Sequence, residues 1–335
     1  MPKLIGSESL AVASLFLDSK YLSVADFYPR GFAAAPPSID VECEVAEQVL
    51  IAVKTFRELG AQIIYPYHLA YPREFLELEH PPLFLSCLGD LRVLSAPEKV
   101  AIVGSRELSS RCERWMEHEL TRFLRANDNV VIISGGARGA DQAAHLAAIR
   151  AQRPTVVFLP SGLNEVFPRD LASWIDPILK AGGLIISAYR AGDKIRNFRF
   201  EGRNRLIAAL SQMVFVTEAS RRSGSIMTAR LAIELGRDLC VLPSFPGELV
   251  GQGTLDLMIN GAEPIRDAED LQMAMSRATN RTSRTCDPLM PGAAQTPGRC
   301  QSEETIREPH RDVRGQLAFS RSAFGDDVEN VVRDN

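Results

Sequence analysis

The segment from Ile132 to His145, IISGGARGADQAAH, combines residue types that can hold an anion. An apolar run at 130–133 leads into three glycines, which let a backbone or a phosphate approach closely, and then into a helical pattern. The free N–H groups of a helix's first turn and the positive end of its dipole point at the turn before it. This order predicts a phosphate site, and the residues expected to line it are Ser134, Gly135, Gly136, Arg138 and Gly139.

Three further segments carry residues that can bind an anion, and each lies where a predicted strand ends or a predicted helix begins. One follows the apolar run 100–103, another is the basic stretch 189–205, and the third opens a helix near 225. The basic stretch interleaves Phe198 and Phe200 with arginines, a mixture that suits a nucleic-acid strand, although for Phe200 we favour packing in the core. The other expected anion contacts in these segments are Gly104, Ser105, Arg106, Ser223, Gly224, Ser225 and Thr228.

Short apolar strands alternate with helices from Lys99 onward. We predict strands at 100–103, 130–133, 155–159, 184–187, 214–217 and 239–242. Such repeated strand–helix units build a doubly wound, mostly parallel sheet with helices on both faces, which is an α/β fold. Because the carboxyl ends of parallel strands share one edge of the sheet, we expect the four segments to converge on a single crevice there.

Composition divides the chain into three regions. Residues 1–60 are predicted to be an N-terminal helical region that ends in a helix at 41–59, with Gly60 as its cap. The α/β domain is placed at 61–275. Residues 276–335 are polar and lack an apolar period, so they are predicted to form a disordered tail that cannot bury enough apolar surface to offset the entropy of ordering.

The overall composition is that of an ordinary globular protein, with 45% hydrophobic and 24% charged residues in a chain of 335. No apolar run approaches the roughly 20 residues of a membrane span, so no membrane association is expected. The six cysteines are scattered without metal spacing, which favours a cytoplasmic protein with reduced thiols. A net charge of −4 argues against coating DNA by charge alone, but it permits a local basic groove.

The chain lacks the motifs of common cofactor and nucleophile sites. It has no GxxxxGK[ST] loop, no GxGxxG with an acid downstream, and no evident Ser/His/Asp or Cys/His set, so neither a cofactor nor catalysis is expected. Asp141 and His145 lie one helical turn apart without a third ligand, so they predict a helix N-terminal acid and a packed histidine rather than a metal site. For Glu218 we favour a structural acid paired with an arginine over a general base or a ribose ligand.

The order and spacing of several motifs resemble the DprA/Smf family of DNA-processing proteins over about residues 61–275. These motifs include YPREFLELEHPPLFLSCLGDL (71–91), AIVGSR (101–106), ISGGARGADQAAH (133–145), TVVFLPSGLNEVFPRDL (155–171), FRFEGRNRLIAALS (198–211) and VTEASRRSGSIMTARLAIELGR (216–237). The resemblance implies an extended Rossmann-like fold that binds single-stranded DNA without catalysing a reaction. It also implies a homodimer that delivers the strand to a RecA-type recombinase during DNA uptake.

The resemblance also assigns DNA-contact residues. Beyond those already named, it adds Arg203, Asn204 and Arg205 in the basic stretch. The chain departs from the family pattern at Ala188, where a glutamate is usual, and its polar tail replaces the winged helix of many members.

Two other functions stay open at the level of sequence. The first is a sensor of a small nucleotide or a phosphoribohydrolase-like enzyme of the wider superfamily, including one in phage defence. The nearest match to the PGGxGTxxE motif of such enzymes, at 251–254, lacks the preceding glycine pair and the glutamate at the right step. The second is a structural scaffold, which the clustered arginines make the weaker alternative.

Overall fold

The structure is a computed structural model that describes residues 3–4, 39–40 and 43–285. Lys3–Leu4 and Ile39–Asp40 form a short antiparallel pair. Most of the predicted N-terminal region and the part of the predicted tail after Thr285 lie outside the described residues. Their assignments stay predictions.

A nine-stranded mixed sheet forms the centre of the described chain. Its strands are β1 Gln62–Ile64, β2 Leu85–Gly89, β3 Glu98–Val103, β4 Val130–Ser134, β5 Thr155–Leu159, β6 Leu184–Ser187, β7 Met213–Val216, β8 Asp238–Val241 and β9 Glu263–Pro264. The spatial order is β9-β8-β7-β3-β4-β5-β6-β2-β1. Strands β3 to β9 are parallel, while β2 pairs antiparallel with both β6 and β1.

The strand order reverses at β3, which lies between β4 and β7. In register, Val100 of β3 lies opposite Met213 of β7 on one side and Ile132 of β4 on the other. Ligands of open α/β sheets bind outside the carboxyl ends of the strands at such a reversal. The ends of β3, β4 and β7 therefore mark where a site is expected.

The helices cover both faces of the sheet. They are α1 Cys43–Glu58, α2 Ser110–Trp115, α3 Thr121–Ala126, α4 Ala140–Arg150, α5 Ile175–Lys180, α6 Asn197–Leu210, α7 Gly224–Glu234, α8 Gln252–Ile259 and α9 Ala268–Thr285. A π-turn, Met116–Leu120, joins α2 to α3. Short 3-10 helices occur at Arg73–Glu77, Leu91–Ser95, Arg169–Trp174 and Leu249–Gly251. None of the described helices combines the length and apolar character that crossing a membrane requires.

The continuous apolar runs of the parallel strands explain why the sheet is buried on both faces. Helices α6 and α7 pack on one face through residues such as Ile207 and Ala229, while α2 to α4 and α9 pack on the other. A third apolar cluster joins α1 to the sheet, where the rings of Phe56 and Phe84 lie 5.2 Å apart. The predicted boundary at 60–61 therefore falls within a packed core.

The predicted α/β sheet with helices on both faces is confirmed, and the strands at 155–159 and 184–187 begin and end as predicted. Two helices differ from prediction. Helix α6 begins at Asn197 and not at Arg203, so half of the expected basic loop is helical. Helix α9 continues to Thr285 with Ala278 buried, so it crosses the predicted boundary at 275–276.

Candidate functional site

The loop after β3 and the turn after β4 pack against each other at the strand reversal. The backbone N–H of Ala140 donates to the carbonyl of Ser105 at 3.0 Å. Gly139 has a φ of +76°, and a Cβ there would lie 2.3 Å from that same carbonyl oxygen. Only glycine combines this conformation with this close approach. The segments 104–106 and 134–139 therefore form one continuous surface.

Arg203 extends from α6 into this surface and is buried there. A Cβ on Gly135 would lie 0.8 Å from the Nη1 atom of Arg203, so the guanidinium occupies the space that a side chain at Gly135 would take. Nη1 lies 3.5 Å from the Oδ2 atom of Asp141, and the two side chains are 7% and 9% exposed. The guanidinium of Arg203 therefore packs against the glycine-rich turn, with the carboxylate of Asp141 beside it.

The electrostatics of this pair are set by burial. Burial raises the pKa of the Asp141 carboxyl and lowers the pKa of the Arg203 guanidinium, and the opposite charge of each partner acts against both shifts. Asp141 also accepts a hydrogen bond from the N–H of Ala137 at 3.2 Å. The Nε and Nη1 atoms of Arg203 donate no hydrogen bond to any described residue. A buried cation with missing hydrogen bonds is costly unless a ligand supplies further compensation.

Arg203 lines a cavity of about 660 Å³, which we call the Arg203 cavity. The lining residues are Arg106, Glu107, Gly135, Ala137, Arg138, Pro160, Phe167, Pro168, Arg169, Phe200 and Arg203. Four of these eleven residues are arginines and one is acidic, so the cavity attracts anions.

One wall of the Arg203 cavity is aromatic. The rings of Phe167 and Phe200 lie 6.4 Å apart in an edge-to-face arrangement. The guanidinium carbon of Arg203 lies 5.8 Å from the centre of the Phe200 ring. A flat apolar group can therefore pack against these rings, and a phosphate beside it can pair with the Arg203 guanidinium.

The rim carries exposed arginines in different states of pairing. Arg138 forms an ion pair with Asp170, with 3.1 Å between Nε and Oδ2. Arg106 and Arg169 are exposed and have no ion-pair partner within the described part of the chain. These two guanidinium groups are the ones most readily available to a ligand.

Comparison with known proteins agrees with this architecture. The family model described as DNA recombination-mediator protein A matches residues 62–276. The chain belongs to this family. A relative named Protein Smf from Borreliella burgdorferi is 36% identical over 219 residues, which are 65% of this chain and 68% of the relative.

Two solved structures of the family resemble the chain. The X-ray structure of DNA processing protein A from Streptococcus pneumoniae matches with a TM-score of 0.67 and 26% identity, covering 80% of this chain and 98% of that one. The structure of DNA processing protein A from Helicobacter pylori matches with a TM-score of 0.55 and 30% identity, covering 64% and 94%. The Helicobacter pylori protein is described as having a unique single-stranded DNA binding mode.

Several hydroxyls expected to contact an anion donate to the protein's own backbone instead. Ser134 donates to the carbonyl of Ile102 at 2.6 Å, and Ser225 donates to the carbonyl of Gly104 at 2.7 Å. The other two donating hydroxyls are those of Ser105, to Glu107, and Thr228, to Gly224. Ser223 caps α7 by accepting from the N–H of Ile226 at 3.4 Å. These side chains hold the loops that carry the site.

The four predicted segments do not all line one cavity. Arg205 lies on a different side of α6 from Arg203 and lines a separate cavity with His80 and Tyr189. Asn204 is buried in α6, and 223–228 lines neither cavity. The convergence expected from strand order holds for the segments after β3 and β4 and for Arg203.

Part of the cavity wall was not predicted from the sequence. Phe167, Pro168 and Arg169 belong to the segment after β5, for which no ligand contact was predicted, and Phe200 was expected in the core. The sequence feature that could have indicated a role in the site is the position of 160–169 directly after a parallel strand. That position alone could not show that the segment crosses toward α6.

The acids near the site have structural partners. Glu218 was expected to pair with an arginine, but it accepts the N–H of Ser109 at 2.9 Å and also the Ser109 hydroxyl, and it thereby fixes the start of α2. His145 is fully buried with Nδ1 2.7 Å from the Thr155 hydroxyl, and burial lowers its pKa to about 3. In the described residues, no group of three or more His, Cys, Asp or Glu side chains is placed to hold a metal ion.

Proposed function

We propose that the protein binds single-stranded DNA in the Arg203 cavity. The observation that carries the proposal is Arg203 itself. It is a buried cation that lacks hydrogen bonds at two atoms and lines a cavity with exposed arginines and an aromatic wall. A phosphate in the cavity would compensate the buried charge, and a base could contact the rings of Phe167 or Phe200.

The proposed preference for a single strand follows from the aromatic wall. Bases of a duplex are stacked and hidden, whereas an unpaired base presents its face to Phe167 and Phe200. Every base has such a face, so we expect weak sequence preference. Membership of the recombination-mediator family supports this ligand, and single-stranded DNA is the ligand described for the Helicobacter pylori relative.

The direct test is a titration of labelled oligo-dT, its duplex and thymidine mononucleotide against the purified protein. We expect tight binding of oligo-dT alone, with a log–log salt slope of about −0.7 for each phosphate contacted. Affinity that does not change with salt, or preference for the duplex, would contradict the proposal. Preference for the mononucleotide would favour a nucleotide sensor.

Arg106→Ala is expected to weaken oligo-dT binding about tenfold, because a hydrogen bond to a charged group contributes about 1.5–3 kcal/mol. Arg106 is exposed, so thermal unfolding should be unchanged. Arg205→Ala should weaken binding less, since Arg205 lines the separate cavity. Equal affinities of both variants and the unaltered protein would place the DNA elsewhere.

We further propose a homodimer that delivers the strand to a RecA-type recombinase, and a cytoplasmic location, as the resemblance and the scattered cysteines led us to expect. The family description, a recombination mediator, supports delivery to a recombinase. The described cysteines that are free, Cys87, Cys112 and Cys240, are buried, which fits a reducing compartment.

We also propose that the protein is not an enzyme. The buried acids at the strand ends, Asp141 and Glu218, face Arg203 and Ser109, and neither is free to activate water. In the segment 251–254, the Thr254 hydroxyl is buried and shares a hydrogen bond with the Ser244 hydroxyl at 2.7 Å, so it does not face an open site.

A further inference from the structure

A second basic groove lies beside α2, on the other face of the sheet from α6. It has a volume of about 500 Å³ and is lined by Arg111, Arg114, Trp115, His118 and Arg266, among others. Helix α2 packs on one face of the sheet and α6 on the other. The Arg203 cavity is lined by Arg106, and the groove is lined by Arg111, which follows it at the start of α2. We call this second site the Arg114 groove.

The Arg114 groove is lined by three arginines and one acid, Glu119, and two of the arginines are paired with acids. Arg111 pairs with Glu248 at 3.1 Å and Arg266 with Asp270 at 2.6 Å, so both guanidinium groups are fixed by acids. Arg114 is exposed and has no ion-pair partner in the described residues. It is therefore the cation that a ligand can engage without breaking an ion pair.

An exposed ring lies next to the lining residue Arg111, and the floor of the groove is fixed by a hydrogen bond. Phe245 is 61% exposed, and the guanidinium carbon of Arg111 lies 5.3 Å from its ring centre. The indole N–H of Trp115 donates to the carbonyl of Arg266 at 2.8 Å, which holds the floor to the chain after β9. Arginine beside an exposed ring is the combination that binds unpaired bases and phosphates.

We propose that the Arg114 groove binds a second stretch of the same single strand and so lengthens the DNA site. This inference rests on the proposed function. Arg106 of the first site and Arg111 of the second are five residues apart, which limits their Cα separation to about 18 Å. A strand leaving the Arg203 cavity past Arg106 therefore reaches the groove within a few nucleotides. The exposed ring favours nucleic acid over an acidic protein as the ligand.

The test compares the unaltered protein with Arg114→Ala on oligo-dT of about three and about twenty-four nucleotides, one shorter and one longer than the roughly 4–16 nucleotides of usual single-strand sites. The short strand fills the Arg203 cavity alone, so its affinity should stay within about twofold. The long strand should bind about tenfold more weakly, with a salt slope less steep by about 0.7. Phe245→Ala should likewise weaken only the long strand.

Arg125→Ala is the matched control, because Arg125 is exposed at the end of α3 and also has no ion-pair partner in the described residues. It should change neither affinity. Failure of the unaltered protein to bind either strand would reject the proposed function itself. Tight binding of both strands that Arg114→Ala leaves unchanged, or weakens equally, would overturn the groove's role. A parallel titration with poly-glutamate tests an acidic protein partner. If Arg114→Ala weakened poly-glutamate binding and left DNA binding unchanged, the groove would be assigned to such a partner and the proposal would be overturned.

Discussion

Gly135→Ala is expected to weaken oligo-dT binding about a hundredfold, which corresponds to the upper end of the roughly 1.5–3 kcal/mol that a charged hydrogen bond contributes. The added methyl would lie 0.8 Å from Nη1 of Arg203, so the guanidinium must move away from the glycine-rich turn. The clashing atoms are the flexible end of a side chain, and the backbone can keep its fold. Because the displaced guanidinium also leaves Asp141 buried without its partner, stability should fall as well, so affinity is measured at a temperature where the variant is folded.

The control for this substitution is Gly192→Ala in the loop before α6, where no atom lies within 4 Å of an added Cβ. It should leave DNA affinity unchanged. The double variant Gly135→Ala/Arg203→Ala should bind no more weakly than Arg203→Ala alone, because both changes remove the same contact. Additive losses would mean that Gly135 acts through the backbone of the turn and not through Arg203.

The sheet was predictable because its parallel strands are continuous apolar runs between turn residues. Val130 to Ile133 and Thr155 to Leu159 are buried at every position, so their pattern does not depend on knowing their neighbours. Strand order then placed the loop at 104–106 beside the turn at 134–139. These parts of the site follow from local sequence and the general rules of doubly wound sheets.

The start of α6 was not predictable from apolar periodicity. Its first two turns bury Arg199 and Arg203, so the buried positions of the helix carry charge. Arg199 is held by the carbonyl of Lys194 at 2.6 Å and by Asp193 at 3.1 Å, contacts that depend on the folded loop. In the sequence alone, closely spaced charged residues indicate a solvent-exposed loop. Only the folded structure shows the partners that allow these arginines to be buried in a helix.

The hydrogen-bond acceptors of the serine and threonine hydroxyls were also not predictable from the sequence. A serine after a strand can donate to a ligand or to a backbone carbonyl, and the residue type is the same in both cases. In this fold, Ser134 and Ser225 donate to carbonyls of the segment 102–104. The aromatic wall was missed for a related reason, since the path of 160–169 over the cavity is set by tertiary packing.

Asp141→Ala is expected to destabilise the protein by about 3–5 kcal/mol, because it leaves the charge of Arg203 buried without its only ion-pair partner among the described residues. The midpoint of thermal unfolding should fall by about 10 °C for a domain of this size. Chemical denaturation at neutral pH measures the free energy directly. Asp141→Asn tests whether the hydrogen bond from Ala137 accounts for part of the loss.

The double variant Asp141→Ala/Arg203→Met separates the penalty of an unpaired charge from the net contribution of the pair. Replacing both buried charges by apolar groups is often nearly neutral, so most of the lost stability should return. Oligo-dT affinity should not return, since the cation that faces the cavity is gone. Stability that stays low in the double variant would show that Asp141 supports the turn independently of Arg203. Recovery of stability without recovery of binding would mean that the buried ion pair serves DNA binding and does not stabilise the fold more than apolar side chains at the same positions would.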